Sequence, residues 1–313
     1  MNIGLDMMGG DFAPLEAVKG VAHYLSEQSA SATLFLIGDQ QTIEKLTADH
    51  KISKEHIHIV PSEEVIGMHE HPTKALKEKQ RSSIAIGFNL LATGKIDAFI
   101  SAGNTGAMLV GSLFSIKALE GVIRPTISTV IPKEDGNTGL LLDVGLNVDC
   151  KPEHLNQFAV MGSVFAHLIL GIDKPKVGLM NVGEEEGKGN IQAQAVYSLL
   201  KGNKHINFTG NVEGRDILTG KADVMVCDGF TGNIILKMAE SFYEITHRKK
   251  IHHDYLERFN FENYGGTPVL GVSKPVIIGH GISKGVAFKN MILVAQKMLE
   301  KKVLEKMKKA LVE

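Results

Sequence analysis

Residues 176–190 read KVGLMNVGEEEGKGN, an apolar run that ends in a glycine-rich, triply acidic turn and opens onto a helical pattern. Val177, Leu179, Met180 and Val182 are short, apolar and not alternating, the pattern of a strand buried on both faces. Gly183, Gly187 and Gly189 allow a sharp turn and close backbone approach to a ligand. A helix from about Asn190 then points free N–H groups and a positive dipole end at that turn. Buried strand, glycine turn and helix N-terminus together are the unit of a parallel α/β sheet, so this stretch decides the fold class. It is not a Walker P-loop. Only three residues separate Gly183 from Gly187-Lys188, Gly189 stands where Ser or Thr would bind magnesium, and Glu184, Glu185 and Glu186 would repel a triphosphate.

The same unit recurs on both sides. Residues 3–5 read as a strand running into Asp6, Met7, Met8, Gly9, Gly10 and Asp11, with Pro14 beginning a helix to about Gln28. Further strands are expected at 33–37, 57–60, 96–100, 127–131, 140–142, 224–226 and 276–278, with helices between the early ones. Residues 72–93 read as a basic helical stretch carrying Lys74, Lys77, Lys79 and Arg81. The pattern Gly, Asn or Phe, Thr, Gly occurs at 103–106, 136–139 and 229–232. The first and third follow buried strands and precede helices, one ending near Gly121 and the other starting near Asn233, which is the context of an anion site. The second joins two apolar runs and reads as a hairpin connection. Helices are also expected over 153–170, to about Lys250 and, lysine-rich and amphipathic, over 293–312. Residues 264–268 read as a turn.

Composition bounds the function. The chain has 313 residues, of which 43% are hydrophobic, and a net charge of −1, so no global field draws it to nucleic acid or to an anionic membrane. The N-terminus lacks a secretory pattern and no apolar run reaches the roughly 18 residues of a membrane span, so the expected location is cytoplasmic. Cys150 and Cys227 lack CxxC spacing and read as reduced thiols, Cys227 as a small core residue. No Pro/Gly/Ser linker divides the chain. One continuous domain over 1–313 is expected, a Rossmann-like α/β/α sandwich on a mostly parallel sheet, with a helical excursion at about 240–265 where basic and aromatic residues alternate.

The strand-end turns should face one crevice, where open α/β sheets bind ligands. They contribute Asn, Thr, backbone N–H groups, a few carboxylates, Lys188 and His280, with no Ser-His-Asp spacing, no HExxH and no metal-rich cluster. Such a crevice suits a small oxyanion and a reacting carbonyl oxygen, without metal or cofactor.

Eight motifs in order, DMMGGD, SAGNTGA, LLDVGLNVDCKPEHL, NVGEEEGKGN, GNVEGRDI, DVMVCDGFTGN, NYGGTPVLGV and GHGIS, make the chain resemble the bacterial phosphate acyltransferases of the PlsX family over nearly its whole length. That family is similar in fold to phosphotransacetylases and to the isocitrate dehydrogenase group. The resemblance implies transfer of a long-chain acyl group from acyl carrier protein to orthophosphate, giving the acyl phosphate for the first acylation of glycerol 3-phosphate. It also implies a homodimer, a downstream glycerol-3-phosphate acyltransferase and, in some relatives, peripheral contact of the excursion with the inner face of the membrane. On the residues and the resemblance together, phosphate is expected among the helix starts at Asn104, Thr105 and Gly106 and at Thr231, Gly232 and Asn233, with Lys188 as charge partner. Asn181 or backbone N–H groups would hold the oxyanion, and His280 or a carboxylate the proton. Asp6, Gly9, Gly10, Asn147, Glu184 and Asp228 complete the substrate-binding set, with Glu184 to Glu186 orienting Lys188 or a neighbouring subunit.

This chain departs from the family pattern at Met7, usually Ala, at Ile282, where the family has Ser after His280-Gly281, and in a shorter 240–263 segment. Two other readings stay open on the residues alone. One is a nicotinamide-dependent hydroxy-acid dehydrogenase on a similar fold, without a GxGxxG motif. The other is a carrier-protein or membrane scaffold using the basic stretches at 74–81 and 247–253.

Overall fold

The computed structural model describes residues 1–27 and 29–312, so the expected end of the first helix at Gln28 lies outside the described residues. The strands are β1 (Asn2–Asp6), β2 (Thr33–Gly38), β3 (Ile57–Pro61), β4 (Ala98–Ser101), β5 (Thr126–Pro132), β6 (Thr138–Leu142), β7 (Lys176–Met180), β8 (Asn207–Val212), β9 (Val224–Val226), β10 (Thr267–Leu270) and β11 (Val276–Ile278). The α-helices are α1 (Leu15–Leu25), α2 (Gln40–Asp49), α3 (Pro72–Glu78), α4 (Ser83–Ala92), α5 (Thr105–Gly111), α6 (Pro152–Phe165), α7 (Ile191–Gly202), α8 (Gly229–Arg248), α9 (Asp254–Glu257), α10 (Gly285–Glu300) and α11 (Val303–Val312). The fold is the expected α/β class, a mostly parallel sheet arrangement with flanking helices.

The chain divides into two compact units: residues 1–118 with 261–300, and residues 119–260 with 301–313. In the first, the strand order is β3-β2-β1-β4-β11-β10, parallel except for the antiparallel β10/β11 pair. Its core is built on Ile3, Leu5, Leu34, Leu36 and Phe99, all with no exposed surface. Phe99 meets Phe88 edge to face at 5.2 Å. Gly87 lets α4 lie on that ring, because a Cβ there would come within 2.2 Å of Phe99. Gly20 does the same for α1 against α10, where a Cβ would sit 2.2 Å from that of Phe288.

In the second unit the order is β5-β6-β9-β7-β8, with an antiparallel β5/β6 hairpin beside three parallel pairings. Residues 136–139 connect the hairpin as expected, with Gly136 at φ 91°. Leu140, Leu141, Leu142, Val177 and Val224 are fully buried. Gly162 lets α6 settle on the sheet, its Cβ position lying 2.7 Å from Val224 and 3.0 Å from Leu142. Lys133, its side chain 2% exposed, follows β5 and makes a 2.5 Å bond to the Asp223 carboxylate. The segment after α8 is tied to this hairpin by the Tyr255 hydroxyl on the Pro132 carbonyl and by Arg258 on the carbonyls of Lys133 and Asn137.

Several expected boundaries are corrected. Val182 lies outside β7 and is exposed, because the chain turns after Met180. The basic stretch 72–93 is two helices, broken where the Ser82 hydroxyl caps α4 by accepting from the Ala85 N–H. The helix after 101–106 ends at Ile116, continuing α5 through one π-helical turn rather than reaching Gly121. The last helix is two, α10 and α11, separated at Lys302 with φ 53°. Residues 267–270, read partly as a turn, form strand β10.

Candidate functional site

In the first unit the ends of β1 and β4 bring Asp6, Gly9, Gly10, Ser101 and Asn104 together. The Ser101 hydroxyl donates to the Asp6 carboxylate at 2.6 Å and itself accepts from the Gly103 N–H at 2.9 Å. The Met8 N–H donates to the other carboxylate oxygen at 3.0 Å. Burial pushes the Asp6 carboxyl above the ordinary carboxylate range, while the Ser101 hydroxyl, the Ser83 hydroxyl and the Met8 N–H hold it back. Gly9 has no room for a side chain, since a Cβ would lie 2.5 Å from the Asp6 carboxylate and 2.6 Å from the Gly103 nitrogen.

Asn104 caps α5, its oxygen accepting from the Ala107 N–H at 2.9 Å. Its amide donates to the carbonyls of Gly67 and Glu70 at 2.9 and 3.0 Å and, more loosely, to that of Met68. The side chain that was expected to touch phosphate therefore fastens the 67–70 loop over the turn, and Thr105, which is exposed, and Gly106 are left to present main-chain N–H groups. The loop is held from its other side by Glu70, which accepts from the Gly67 N–H and from Lys79, both at 2.6 Å. His280 is exposed in the same unit, against the Phe261 ring at 5.0 Å, with its Nδ1 facing the Ile282 N–H at 3.4 Å.

In the second unit Asp143, Asn147, Asp228, Gly232 and Asn233 converge. Asp143 has no exposed surface. Its Oδ1 accepts from the N–H groups of Gly145 and Leu146 at 2.9 Å. Its Oδ2 accepts from the Asn147 N–H at 2.9 Å and the Asn147 amide at 2.6 Å. Burial pushes this carboxyl upward and the four donors oppose that push. Asp228 caps α8 by accepting from the Thr231 N–H at 2.8 Å. The helix start fits tightly on the 143–147 turn: the Gly229 N–H donates to the Asn147 carbonyl at 2.7 Å, and a Cβ at Gly232 would lie 1.8 Å from the Asp143 carbonyl oxygen. Asn233 is exposed, its side chain 3.4 Å from where a Cβ on Gly145 would stand.

A further cluster of that unit is the turn after β7. The Asn181 amide donates to the Lys188 carbonyl and to Asn211 Oδ1, both at 3.1 Å, and its oxygen accepts from the Val182 N–H at 2.8 Å. Asn211, 2% exposed, reaches back to the Glu185 carbonyl at 2.8 Å. Sequence reasoning passed over Asn211; its signal was an Asn inside a strand-like run ending in the motif GNVEGRDI. The three glutamates take three different lysines. Glu184 meets Lys221 at 2.7 Å, Glu186 meets Lys201 at 2.8 Å, and Glu185 comes no nearer than 4.0 Å to Lys188. Among the described residues only Glu185 is paired with Lys188, whose side chain is 53% exposed, so that pair is solvent-screened and leaves the ammonium available to an anion.

Neither thiol is a ready nucleophile. Burial pushes Cys150 up to about 12 and Cys227 well above the usual thiol range. Among the described residues no group of three or more His, Cys, Asp or Glu side chains is placed to hold a metal ion. Nor is any helix there long and apolar enough to cross a membrane.

These features can be set against known proteins. The family described as fatty acid synthesis protein matches residues 1–306. The phosphate acyltransferase of Dictyoglomus thermophilum is 42% identical over 332 residues, covering 99% of this chain and 98% of the relative. That of Desulforamulus reducens is 43% identical, covering 99% and 97%. Among solved structures, a phosphotransacetylase from Streptococcus pyogenes matches with a TM-score of 0.66 at 19% identity, over 96% of this chain and 94% of its own. A branched-chain phosphotransacylase from Enterococcus faecalis gives 0.61 at 16% identity, over 95% and 99%. The structural likeness bears on the fold, and the sequence likeness on the kind of protein. This chain belongs to the phosphate acyltransferase family and is an acyltransferase.

Proposed function

We propose that the protein transfers a long-chain fatty acyl group from acyl carrier protein to orthophosphate, making the acyl phosphate consumed by a glycerol-3-phosphate acyltransferase. The observation that carries the mechanism is that burial pushes both thiols upward, so neither cysteine is offered as a thiolate and phosphate itself is taken as the attacking group. A phosphate oxygen attacks the thioester carbonyl carbon, the carbonyl oxygen becomes an oxyanion, and the C–S bond breaks as the carbonyl re-forms. The carrier thiolate leaves and takes up the proton that phosphate gives up.

Phosphate is assigned to the start of α8, at Thr231, Gly232 and Asn233 beside Asn147 and Asp228, with the exposed Lys188 ammonium as its counter-charge. Asn181 positions Lys188 through the Lys188 carbonyl, and Glu184 is engaged by Lys221, which spares the anion that repulsion. The donor thioester is assigned to the turn of Asp6, Gly9, Gly10, Thr105 and Gly106, where main-chain N–H groups stabilise the oxyanion, a contribution of about 3 kcal/mol per donor. His280, exposed and with Nδ1 accepting, moves the proton through Nε2. The acyltransferase activity is assigned to residues 1–313 as one domain.

A homodimer and peripheral contact with an anionic membrane are further parts of the proposal. They are supported by α8, which exposes Phe230, Ile234, Met238, Phe242 and Ile245 at helical spacing and ends in Arg248, with Lys249 and Lys250 directly after it. Thiol release from palmitoyl acyl carrier protein, with and without orthophosphate and with palmitoyl-CoA in parallel, tests the function. Phosphate-dependent release from the carrier protein supports it. Release from CoA alone would assign a phosphotransacetylase-like donor instead.

A further inference from the structure

Around the Asp11–Gly281 contact, the first unit leaves five large apolar side chains in solvent: Phe12, Leu15, Met68, Ile282 and Val286, each between 40% and 46% exposed. They belong to three segments that touch one another. The Asp11 N–H donates to the Gly281 carbonyl at 2.7 Å. A Cβ on Gly281 would lie 2.9 Å from the Met68 methyl. The Gly285 N–H donates to Glu16 at 2.8 Å, and a Cβ on Gly285 would lie 3.0 Å from that of Lys19, which stands one helical turn beyond Leu15 on the same face. The patch is continuous with the polar turn of the same unit: a Cβ on Gly10 would meet the Gly281 carbonyl at 3.0 Å and Ala102 at 3.5 Å. Met68 is carried by the loop that Asn104 and Glu70 fasten, so its flexible side chain is offered from a fixed backbone.

Apolar side chains gathered at the edge of a polar site mark a surface that a ligand covers. We infer that this patch seats the hydrocarbon chain of the thioester and sets the preference for long chains. The inference rests on the acyl-transfer reading and adds to it the place where the chain lies. The reaction supplies the occupant, because an acyl group beyond its carbonyl offers only methylenes and a methyl, and the five apolar side chains, with exposed Asp11 and Lys284 in the same segments, lie next to the turn assigned to that carbonyl. Each methylene that leaves water completely favours binding roughly fourfold, and one lying on an open surface about half as strongly in free energy, roughly twofold.

The test is kcat/KM for carrier-protein thioesters of eight to eighteen carbons at saturating phosphate, for the wild type and for a Phe12→Gln, Met68→Gln, Ile282→Gln variant. The expected result is that the ratio of sixteen-carbon to eight-carbon activity falls about tenfold or more in the variant. Phe114→Gln, at a side chain 76% exposed elsewhere in the unit, should keep the wild-type ratio. A variant profile parallel to the wild type, or a collapse with Phe114→Gln as well, overturns the inference. So does a variant that loses self-association or vesicle binding while keeping its chain-length profile, since a second copy or a bilayer would then be the occupant. Independently of any variant, a thioester with a diazirine at the chain end should label peptides containing Phe12, Met68 or Ile282 in the wild-type protein, and labelling confined to other peptides overturns it. If the wild type releases no thiol with phosphate from any thioester, the acyl-transfer reading itself fails, a result distinct from an unaltered profile in an active enzyme.

Discussion

Replacing Asp143 with Asn asks how much the turn before α8 depends on a carboxylate. The side chain is fully buried and has two donors on each oxygen: Gly145 and Leu146 on one, the main chain and amide of Asn147 on the other. An amide in either orientation turns its NH2 toward two donors, which then lack an acceptor. A buried donor left unsatisfied costs about 1–3 kcal/mol, so two cost about 2–6 kcal/mol. The Asn147 amide keeps its bond to the Pro125 carbonyl at 2.8 Å, and a neutral side chain escapes the penalty for burying charge. Together these reduce the expected loss to about 2–4 kcal/mol. Asp143→Ala removes all four acceptor positions and should lose more. Urea unfolding of both variants, with Asp135→Asn at an exposed carboxylate as comparison, is the assay. Asp135→Asn should stay within about 0.5 kcal/mol of wild type. If Asp143→Asn does so too, the reasoning about this turn is wrong.

Gly232→Ala should destabilise the protein by at least about 1–3 kcal/mol and raise the phosphate requirement, since the added methyl would meet the Asp143 carbonyl at 1.8 Å. Gly214→Ala, with nothing within 4 Å, should be tolerated, and equal unfolding midpoints for the two would refute the packing argument. The raised Asp6 carboxyl means that the folded state holds this proton more tightly than the unfolded chain does. Its stabilising contribution is therefore fully present below the unfolded value, about 3.9, and is lost as pH rises through the folded value. Asp6→Asn should accordingly gain stability relative to wild type as pH rises from 4 to 8, and a wild type that gains on the variant instead would reverse the sign. Cys150 and Cys227 should be alkylated slowly by iodoacetamide at pH 8 in the native protein and quickly in urea, as read by mass spectrometry; rapid native labelling of Cys227 would contradict its burial.

The repeated strand, glycine turn and helix start were legible because each part leaves a local mark. Asn104 and Asn190 cap their helices where the helical patterns begin, whereas α8 starts at Gly229 behind its cap Asp228, four residues before the expected start near Asn233. The 136–139 hairpin was legible for the same reason. β8 was not, because Thr209, Gly210 and Asn211 dilute the apolar pattern and the first four residues of the strand are exposed or half-buried. β10 hid behind Gly265, Gly266 and Pro268, which read as turn residues. The breaks between α3 and α4 and between α10 and α11 fall at lysines and an arginine, where no Gly or Pro announces a stop. At the candidate site, residue types were legible but their employment was not. Nothing local shows that the Asn104 amide goes to the 67–70 carbonyls, or that the glutamates of 184–186 meet Lys221, Lys188 and Lys201, because these partners are set by the tertiary fold.

The claim on which the account turns is direct attack by phosphate, and one incubation addresses it. Stoichiometric palmitoyl acyl carrier protein is mixed with the enzyme, first without and then with orthophosphate, while free thiol and the intact mass of the enzyme are followed. The expected result is no thiol and no mass gain until phosphate is added, then full thiol release with acyl phosphate as product. A burst of one thiol per enzyme before phosphate, with a palmitoyl mass on the chain, would establish an acyl-enzyme and contradict the account.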